Sequence, residues 1–166
     1  MSSKYYRIAM QQMPIGYIFG PTGIFPLGTE ARELEECLER NRPACCLQRD
    51  GCVYMREDRD FSRMGLSYAE GYVHVVEPIG PVQQRDVTWI GHLQLLLNPS
   101  ADIRALSEAQ RMRRHGLTND ELAQKYWQGS GSPAPHWEHV TSSAKVVEVD
   151  SFQSLSKRAA LAALLS

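Results

Sequence analysis

Glu138 is the side chain best placed to do chemistry in this sequence. It follows a loop of small residues and prolines (129–135) and stands beside Trp137, so a carboxylate lies next to a large aromatic surface. Such a carboxylate could hold a ribose hydroxyl and stabilise the positive charge that develops on an anomeric carbon when a glycosidic bond breaks. The alternative interpretation is an ordinary surface glutamate at the start of a strand.

Arginines form a second group of candidate binding residues. Arg7 lies in the first predicted strand, where its planar guanidinium could bind a pyrophosphate through two hydrogen bonds. The alternative is a solvent-facing arginine that alternates with core residues. Arg42 and Arg49 flank Pro43 and a group of cysteines, and they have the same two interpretations.

Two aromatic residues, Tyr54 and Trp89, could stack on a nicotinamide or adenine ring. Aromatic residues in and beside strands more often serve packing, so that interpretation stays open for both. His74, in the middle of a predicted strand, is expected to be a hydrogen-bonded core residue. Asp86 is expected to form a local ion pair with Arg85.

Several common catalytic and metal-binding motifs are missing. The sequence has no GxxxxGK[ST], no GxGxxG after a strand, no GxSxG and no HExxH, which excludes the enzyme classes that depend on them. The cysteines fit no standard zinc spacing, and we expect no metal site. They are Cys37, Cys45, Cys46 and Cys52, and we expect them to be reduced and to act as small buried hydrophobic residues.

Composition predicts one domain spanning residues 1–166. The chain has 166 residues of which 43% are hydrophobic, enough for one core of ordinary size. Its 18 basic and 19 acidic residues nearly cancel, so no field of single sign recruits nucleic acid or an anionic membrane. The sequence shows neither an export signal nor a membrane-length apolar run, which predicts a cytoplasmic protein without membrane contact.

The order of the predicted elements favours an α+β fold over a doubly wound parallel sheet. Thr29 begins a helix that runs to Arg40 and stops before Pro43, and Thr118 begins a capping box with Glu121. Strands are predicted at 5–10, 52–55, 72–77 and 144–149, helices at 100–115 and 118–127 as an inserted αα-hairpin, a long loop at 14–23, and a C-terminal helix at 152–166. The pattern at 87–97 is apolar without a clear period, so its state stays open.

The segment GYVHVVEPIGP at residues 71–81 resembles the strand and "VEPxGP" turn of small bacterial rifampin ADP-ribosyltransferase-like proteins. Arg7, Arg42-Pro43, residues 49–54 and Trp137-Glu138 also follow one another in an order similar to that of mono-ADP-ribosyltransferase toxins. The resemblance implies a split, mixed or antiparallel sheet with a cleft for NAD. It also implies that Arg7 binds the NAD phosphates or ribose, that Tyr54 packs on nicotinamide and that Glu138 is catalytic.

Arg49 and Trp89 complete the predicted NAD-binding residues.

Three features of the family are missing: a Ser-Thr-Ser after the second strand, a His-Gly-Thr in the first, and a Glu or Gln two residues before Glu138. The third difference argues against arginine as the acceptor of ADP-ribose. A different protein side chain, a nucleic acid and a small molecule all remain open.

Two functional hypotheses from different classes follow. The first is an NAD-dependent ADP-ribosyltransferase, a bacterial or phage toxin or defence component, which acts on an unknown acceptor. The second is a non-catalytic interaction module with a protein partner, such as an immunity protein, an adaptor or a decayed transferase. The first predicts that Arg7, Tyr54 and Glu138 converge on one concave surface. A cysteine hydrolase is a third, weaker hypothesis.

Overall fold

The computed structural model describes residues 4–21, 29–59, 70–97 and 103–154. The described strands and helices are, in chain order, β1 (Tyr5–Ala9), β2 (Ile18–Phe19), α1 (Thr29–Arg40), β3 (Val53–Met55), β4 (Glu70–Ile79), β5 (Gln83–Asp86), α2 (Thr88–Leu97), α3 (Ile103–Arg114), α4 (Asn119–Trp127), β6 (Trp137–Thr141) and β7 (Ser143–Ser154). A short 3-10 turn, Arg49–Gly51, precedes β3. The architecture is therefore α+β.

The chain divides into two compact units. The sheet unit comprises Met1–Pro21, Val53–Val82 and Thr141–Ser166, and the helical unit comprises Thr22–Cys52 and Gln83–Val140. Both units are built from segments that are distant in sequence. The single domain expected from composition stays a prediction.

The sheet unit contains a four-stranded antiparallel sheet in the order β1-β4-β7-β2. Its central strand β4 is rich in β-branched and aromatic residues, which pack well on a pleated surface. Arg7 on β1 lies opposite His74 on β4, and Ile79 at the end of β4 lies opposite Ser143 at the start of β7. The core of this unit consists of Phe19, Val53, Met55, Val76, Ala144 and Val146.

The helical unit is organised around an apolar core supplied by its helices. In α1, Leu34, Cys37 and Leu38 are buried, the spacing of one helical face. The core is completed by Trp89, Leu93, Leu96, Met112, Leu122, Ala123, Tyr126 and Trp127. Strands β5 and β6 of this unit pair antiparallel.

Local sequence signals predicted several elements correctly. β1 and α1 occur where expected, and α4 begins with the predicted capping box, in which the Thr118 hydroxyl accepts from the Glu121 N–H and the Glu121 carboxylate accepts from the Thr118 N–H. The prediction for His74 is also confirmed, because it is fully buried and its Nε2 accepts the N–H of Met13 at 2.9 Å.

Other predictions were wrong or incomplete. The segment 87–97 is mostly helix α2, and it precedes the predicted pair α3 and α4. Strands β2, β5 and β6 were not predicted. β7 continues to Ser154, so a C-terminal helix does not begin at residue 152, and residues 155–166 lie outside the described part. The predicted start of the helix at residue 100 also lies outside it.

No helix in the described ranges has the length and apolar character needed to cross a membrane.

Candidate functional site

Glu138 is the second residue of β6 and is buried, with 6% of its surface exposed. It lies directly opposite Arg85 of β5. The interpretation of Glu138 as an ordinary surface glutamate is therefore wrong. A buried carboxylate requires polar partners, because the loss of its hydration otherwise costs several kcal/mol.

Tyr126 and Arg49 are partners of this carboxylate. The Tyr126 hydroxyl, from the last turn of α4, donates to Glu138 Oε1 at 2.7 Å. Arg49 donates through Nη1 to the Tyr126 hydroxyl, and the same Nη1 lies 3.9 Å from Glu138 Oε1. The phenol thus holds one carboxylate oxygen and is itself oriented by a guanidinium.

Arg49 also binds a second carboxylate, that of Glu35 on α1. Arg49 Nε lies 3.1 Å and 3.0 Å from the two oxygens of Glu35, closer than the 3.9 Å between Arg49 Nη1 and Glu138 Oε1. The side chains of Arg49 and Glu35 are each 20% exposed, compared with 8% for Glu138. Solvent therefore reaches this group of charges more easily at Arg49 and Glu35 than at Glu138.

Arg85 lies deeper in the same group and is 1% exposed. Its guanidinium lies over the Trp127 ring, 4.3 Å from the centroid, and its Nη1 donates to the Tyr126 hydroxyl at 3.4 Å. Nη2 donates to the side chain of Gln83 at 2.8 Å and to the carbonyl of Leu47 at 3.3 Å. We call Glu35, Arg49, Arg85, Tyr126 and Glu138 the Glu138 cluster.

The Glu138 cluster combines two guanidiniums with two carboxylates, so its formal charges cancel. Its field reaches the buried thiol of Cys52. Burial has the largest effect and raises the pKa of the Cys52 thiol. Arg85 and Arg49 lower this pKa and Glu138 raises it, and the net result is a raised pKa. The Cys52 thiol is therefore protonated at neutral pH, which argues against a cysteine hydrolase that would use it as nucleophile.

Asp86 organises the loop that leads to Glu138. Its Oδ1 accepts the backbone N–H groups of Thr88 at 3.0 Å and His136 at 2.9 Å, and its Oδ2 accepts that of Ser132 at 2.7 Å. Burial alone would raise the pKa of Asp86, but hydrogen bonds from Ser132, His136 and Thr88 outweigh burial and lower it. The prediction of an ion pair between Asp86 and Arg85 is wrong. The sequence feature that could have indicated the observed role is an acidic residue just before a helix, where it can accept backbone N–H groups.

Gly129 ends α4 and starts this loop. Its φ of +64° is a left-handed conformation, and the bonds from Gly129 N to Tyr126 O and from Ser130 N to Lys125 O form a Schellman motif. A Cβ at this position would lie 2.6 Å from the carbonyl oxygen of Gln84. Only glycine suits both requirements, so this residue fixes how the loop leaves the helix.

Trp89 lies in the apolar core of the helical unit and is 8% exposed. Its indole N–H donates to the carbonyl of Ser130, and the ammonium of Lys125 lies 5.1 Å from its ring centroid. These contacts are those of a packing residue. Its predicted stacking on a cofactor ring stays a prediction.

Arg7 and Tyr54 come together in the sheet unit. Arg7 Nη1 donates to the carbonyl of Tyr54 at 3.0 Å, and its guanidinium lies over the ring of Phe19, 4.8 Å from the centroid. Arg49 and Glu138 come together in the helical unit. The convergence of Arg7, Tyr54 and Glu138 on one surface stays a prediction.

Comparisons with known proteins gave no relative: no protein-family model, no curated protein and no solved structure matches this chain.

Proposed function

We propose that this chain consumes NAD and transfers its ADP-ribose to an acceptor, with Glu138 as the catalytic carboxylate. The observation that carries the proposal is a buried carboxylate oriented by a phenol and placed next to a guanidinium. Charged groups held in this way are costly for stability and are concentrated at functional sites. The resemblance of the "VEPxGP" turn implies the same reaction class, and the α+β architecture is compatible with it.

In the proposed reaction the bond between nicotinamide and ribose breaks, and positive charge develops on the anomeric carbon. A carboxylate in a largely dry environment stabilises that charge more than one in water. Tyr126 reduces the motion of the Glu138 carboxylate, so little reorganisation is needed when the charge appears. A nucleophile of the acceptor then bonds to the same carbon and loses its proton.

Arg49 is the proposed NAD-binding residue of the cluster. It is one of its more exposed members, and a guanidinium binds phosphate or ribose oxygens through paired hydrogen bonds. Arg7, Tyr54 and Trp89 remain proposed NAD contacts on the resemblance alone. The acceptor is a protein side chain, a nucleic acid or a small molecule, and the biological role is that of a toxin or defence component.

The test compares the wild-type protein with Glu138→Gln and Glu35→Gln, using NAD with and without cell lysate. Nicotinamide release and ADP-ribose attached to protein or nucleic acid are measured together. Glu35→Gln is the matched control, because both substitutions neutralise a carboxylate beside Arg49. We expect Glu138→Gln to slow nicotinamide release on the order of 100-fold or more, and Glu35→Gln to change it much less.

Two results would count against this function. One is wild-type protein that releases no nicotinamide and shows no thermal shift with NAD. The other is an equal loss of nicotinamide release in Glu138→Gln and Glu35→Gln that parallels their loss of stability, since the carboxylates would then serve only the fold.

A second candidate, a protein-interaction module, is favoured by exposed apolar residues of the sheet unit. Ile18 on β2 lies opposite Lys145 of β7 and Ile79 on β4 lies opposite Ser143, so the two isoleucines flank the same end of one strand. The exposed large hydrophobic residues of the described chain are Met10, Ile15, Tyr17, Ile18, Ile79 and Val82. Such groups often mark partner surfaces.

Serine substitutions at Ile18 and Ile79 distinguish the two candidates. An interaction module predicts that this double variant loses a partner recovered from lysate, while the wild type releases no nicotinamide. An enzyme centred on Glu138 predicts that the double variant still consumes NAD.

A further inference from the structure

Cys45 and Cys46 differ from the other two cysteines. None of the four forms a disulfide, but Cys37 and Cys52 are buried at 3% and 0% exposure, whereas Cys45 is exposed and Cys46 is half-buried. The expectation that all four act as small buried hydrophobic residues is therefore wrong for Cys45. Cys45 therefore lies at the surface of the helical unit, and the adjacent Cys46 is half-buried and packs against the apolar core of that unit.

The backbone of the pair is held on both sides. Cys46 N donates to the carbonyl of Pro43 at 2.9 Å, which closes a turn. Arg42 Nη1 donates to the Cys46 carbonyl at 2.8 Å, and Gln83 Nε2 donates to the Cys45 carbonyl at 3.3 Å. Burial raises the pKa of the Cys46 thiol, and the neighbouring Cys45 thiol raises it further.

Geometry decides which chemistry suits two adjacent thiols. Neighbouring Cα atoms are roughly 3.8 Å apart, whereas disulfides favour Cα separations of about 4.4–6.8 Å. A direct disulfide would therefore be strained. A ligand atom bound to both sulfurs enlarges the ring and removes that strain. Zinc normally requires four ligands, and the described residues contain no group of three or more His, Cys, Asp or Glu side chains that could hold a metal ion.

We propose that Cys45 and Cys46 form a dithiol site for a soft, thiophilic ligand that binds two sulfurs, of the class represented by trivalent arsenicals. With phenylarsine oxide the arsenic–oxygen bond is replaced by two arsenic–sulfur bonds. The two thiol protons leave with the oxygen as one water molecule, so the reaction needs no oxidant or reductant. Because the two cysteines are consecutive, a ligand held by one arsenic–sulfur bond stays near the second thiol, which gives the second bond the advantage of an intramolecular step.

The site is connected to the Glu138 cluster by continuous hydrogen bonds. Gln83 binds the Cys45 carbonyl through its Nε2 and accepts from Arg85 through its Oε1. Arg85 donates to the Tyr126 hydroxyl, which donates to Glu138. A ligand that shifts the turn therefore acts on a residue that orients the buried carboxylate.

The test is titration of the native protein with phenylarsine oxide, followed by mass spectrometry under native conditions. We expect the wild type to take up one phenylarsenic group, which 1,2-ethanedithiol removes. Cys45→Ser and Cys46→Ser should each weaken binding by about 100-fold or more, because only one arsenic–sulfur bond remains. Cys37→Ser and Cys52→Ser are the matched controls and should bind as the wild type does.

Circular dichroism establishes that each variant is folded before it is titrated. The proposal is overturned if the folded wild type takes up no arsenical at equimolar concentration, or if Cys45→Ser and Cys46→Ser bind it as tightly as the wild type. Because uptake is measured by mass, this result does not depend on whether the protein consumes NAD.

Discussion

Replacing Asp86 by alanine should strongly destabilise the helical unit. The carboxylate accepts three backbone N–H groups, those of Thr88, Ser132 and His136, and its own surface is fully buried. Alanine provides no acceptor for any of them. The start of α2 and the loop before Glu138 would then both lose their common anchor.

The size of the effect follows from the burial of the three donors. The bond to Ser132 is buried and the other two are partly buried. An unsatisfied buried donor costs about 1–3 kcal/mol, so roughly 2 kcal/mol for Ser132 and 1 kcal/mol for each of the others gives about 4 kcal/mol. Asp86→Asn keeps an oxygen for two donors but turns an amide N–H towards Ser132, and should cost about 2 kcal/mol.

Urea unfolding followed by tryptophan fluorescence measures this effect, because all three tryptophans, Trp89, Trp127 and Trp137, belong to the helical unit. Glu39→Ala, which removes an ion pair with Arg42 at the surface of the same unit, is the control and should have little effect. A loss of less than about 1 kcal/mol for Asp86→Ala would refute the assigned role of this carboxylate.

The pH dependence of the stability difference between the wild type and Asp86→Ala is a further check. The pKa of Asp86 is lowered in the folded protein, so its contribution is complete above the unfolded pKa of about 3.9 and is lost as the pH falls through the folded value. The difference between wild type and Asp86→Ala should be constant between pH 7 and about 5 and shrink below about 4. A difference that decreases already near pH 6 would point to another group.

Three further outcomes are expected. Gly129→Ala should destabilise the protein by more than about 1 kcal/mol in urea unfolding, because the left-handed φ and the nearby Gln84 carbonyl both oppose a Cβ, and a neutral effect would contradict that geometry. Burial lowers the pKa of His74, which lies opposite Arg7, so the stability of the protein should fall as the pH drops below about 6.5. Circular dichroism measures this fall, which should be weaker in His74→Gln. If the Glu138 reaction occurs, phenylarsine oxide should slow nicotinamide release in the wild type but not in Cys45→Ser, and equal inhibition of both would show that the arsenical acts elsewhere.

The parts of the fold predicted from sequence are those encoded by neighbouring residues. Helix α4 has its capping box at Thr118 and Glu121 and its glycine at 129, all within a few residues of its ends. Helix α1 ends before Pro43, which cannot continue it. Short-range signals of this kind have the same meaning in almost any tertiary context.

Strands β2 and β5 could not be predicted in this way. β2 has two residues and β5 reads Gln-Gln-Arg-Asp, which has neither the alternation nor the β-branched content of a strand. β5 exists because β6, more than 50 residues later, supplies its hydrogen-bonding partner. The strand state of residues 152–154 likewise depends on pairing with β4.

The candidate site also combines features that the local sequence predicts with features that depend on distant segments. The sequence by itself determined that Glu138 follows a loop of small residues and prolines beside Trp137, which was enough to select it. Only the tertiary structure decided that this carboxylate is buried, that Arg49 and Tyr126 orient it, and that Asp86 anchors its loop instead of pairing with Arg85. Burial and long-range hydrogen bonds depend on which distant segments pack together, and a local pattern contains no information about them.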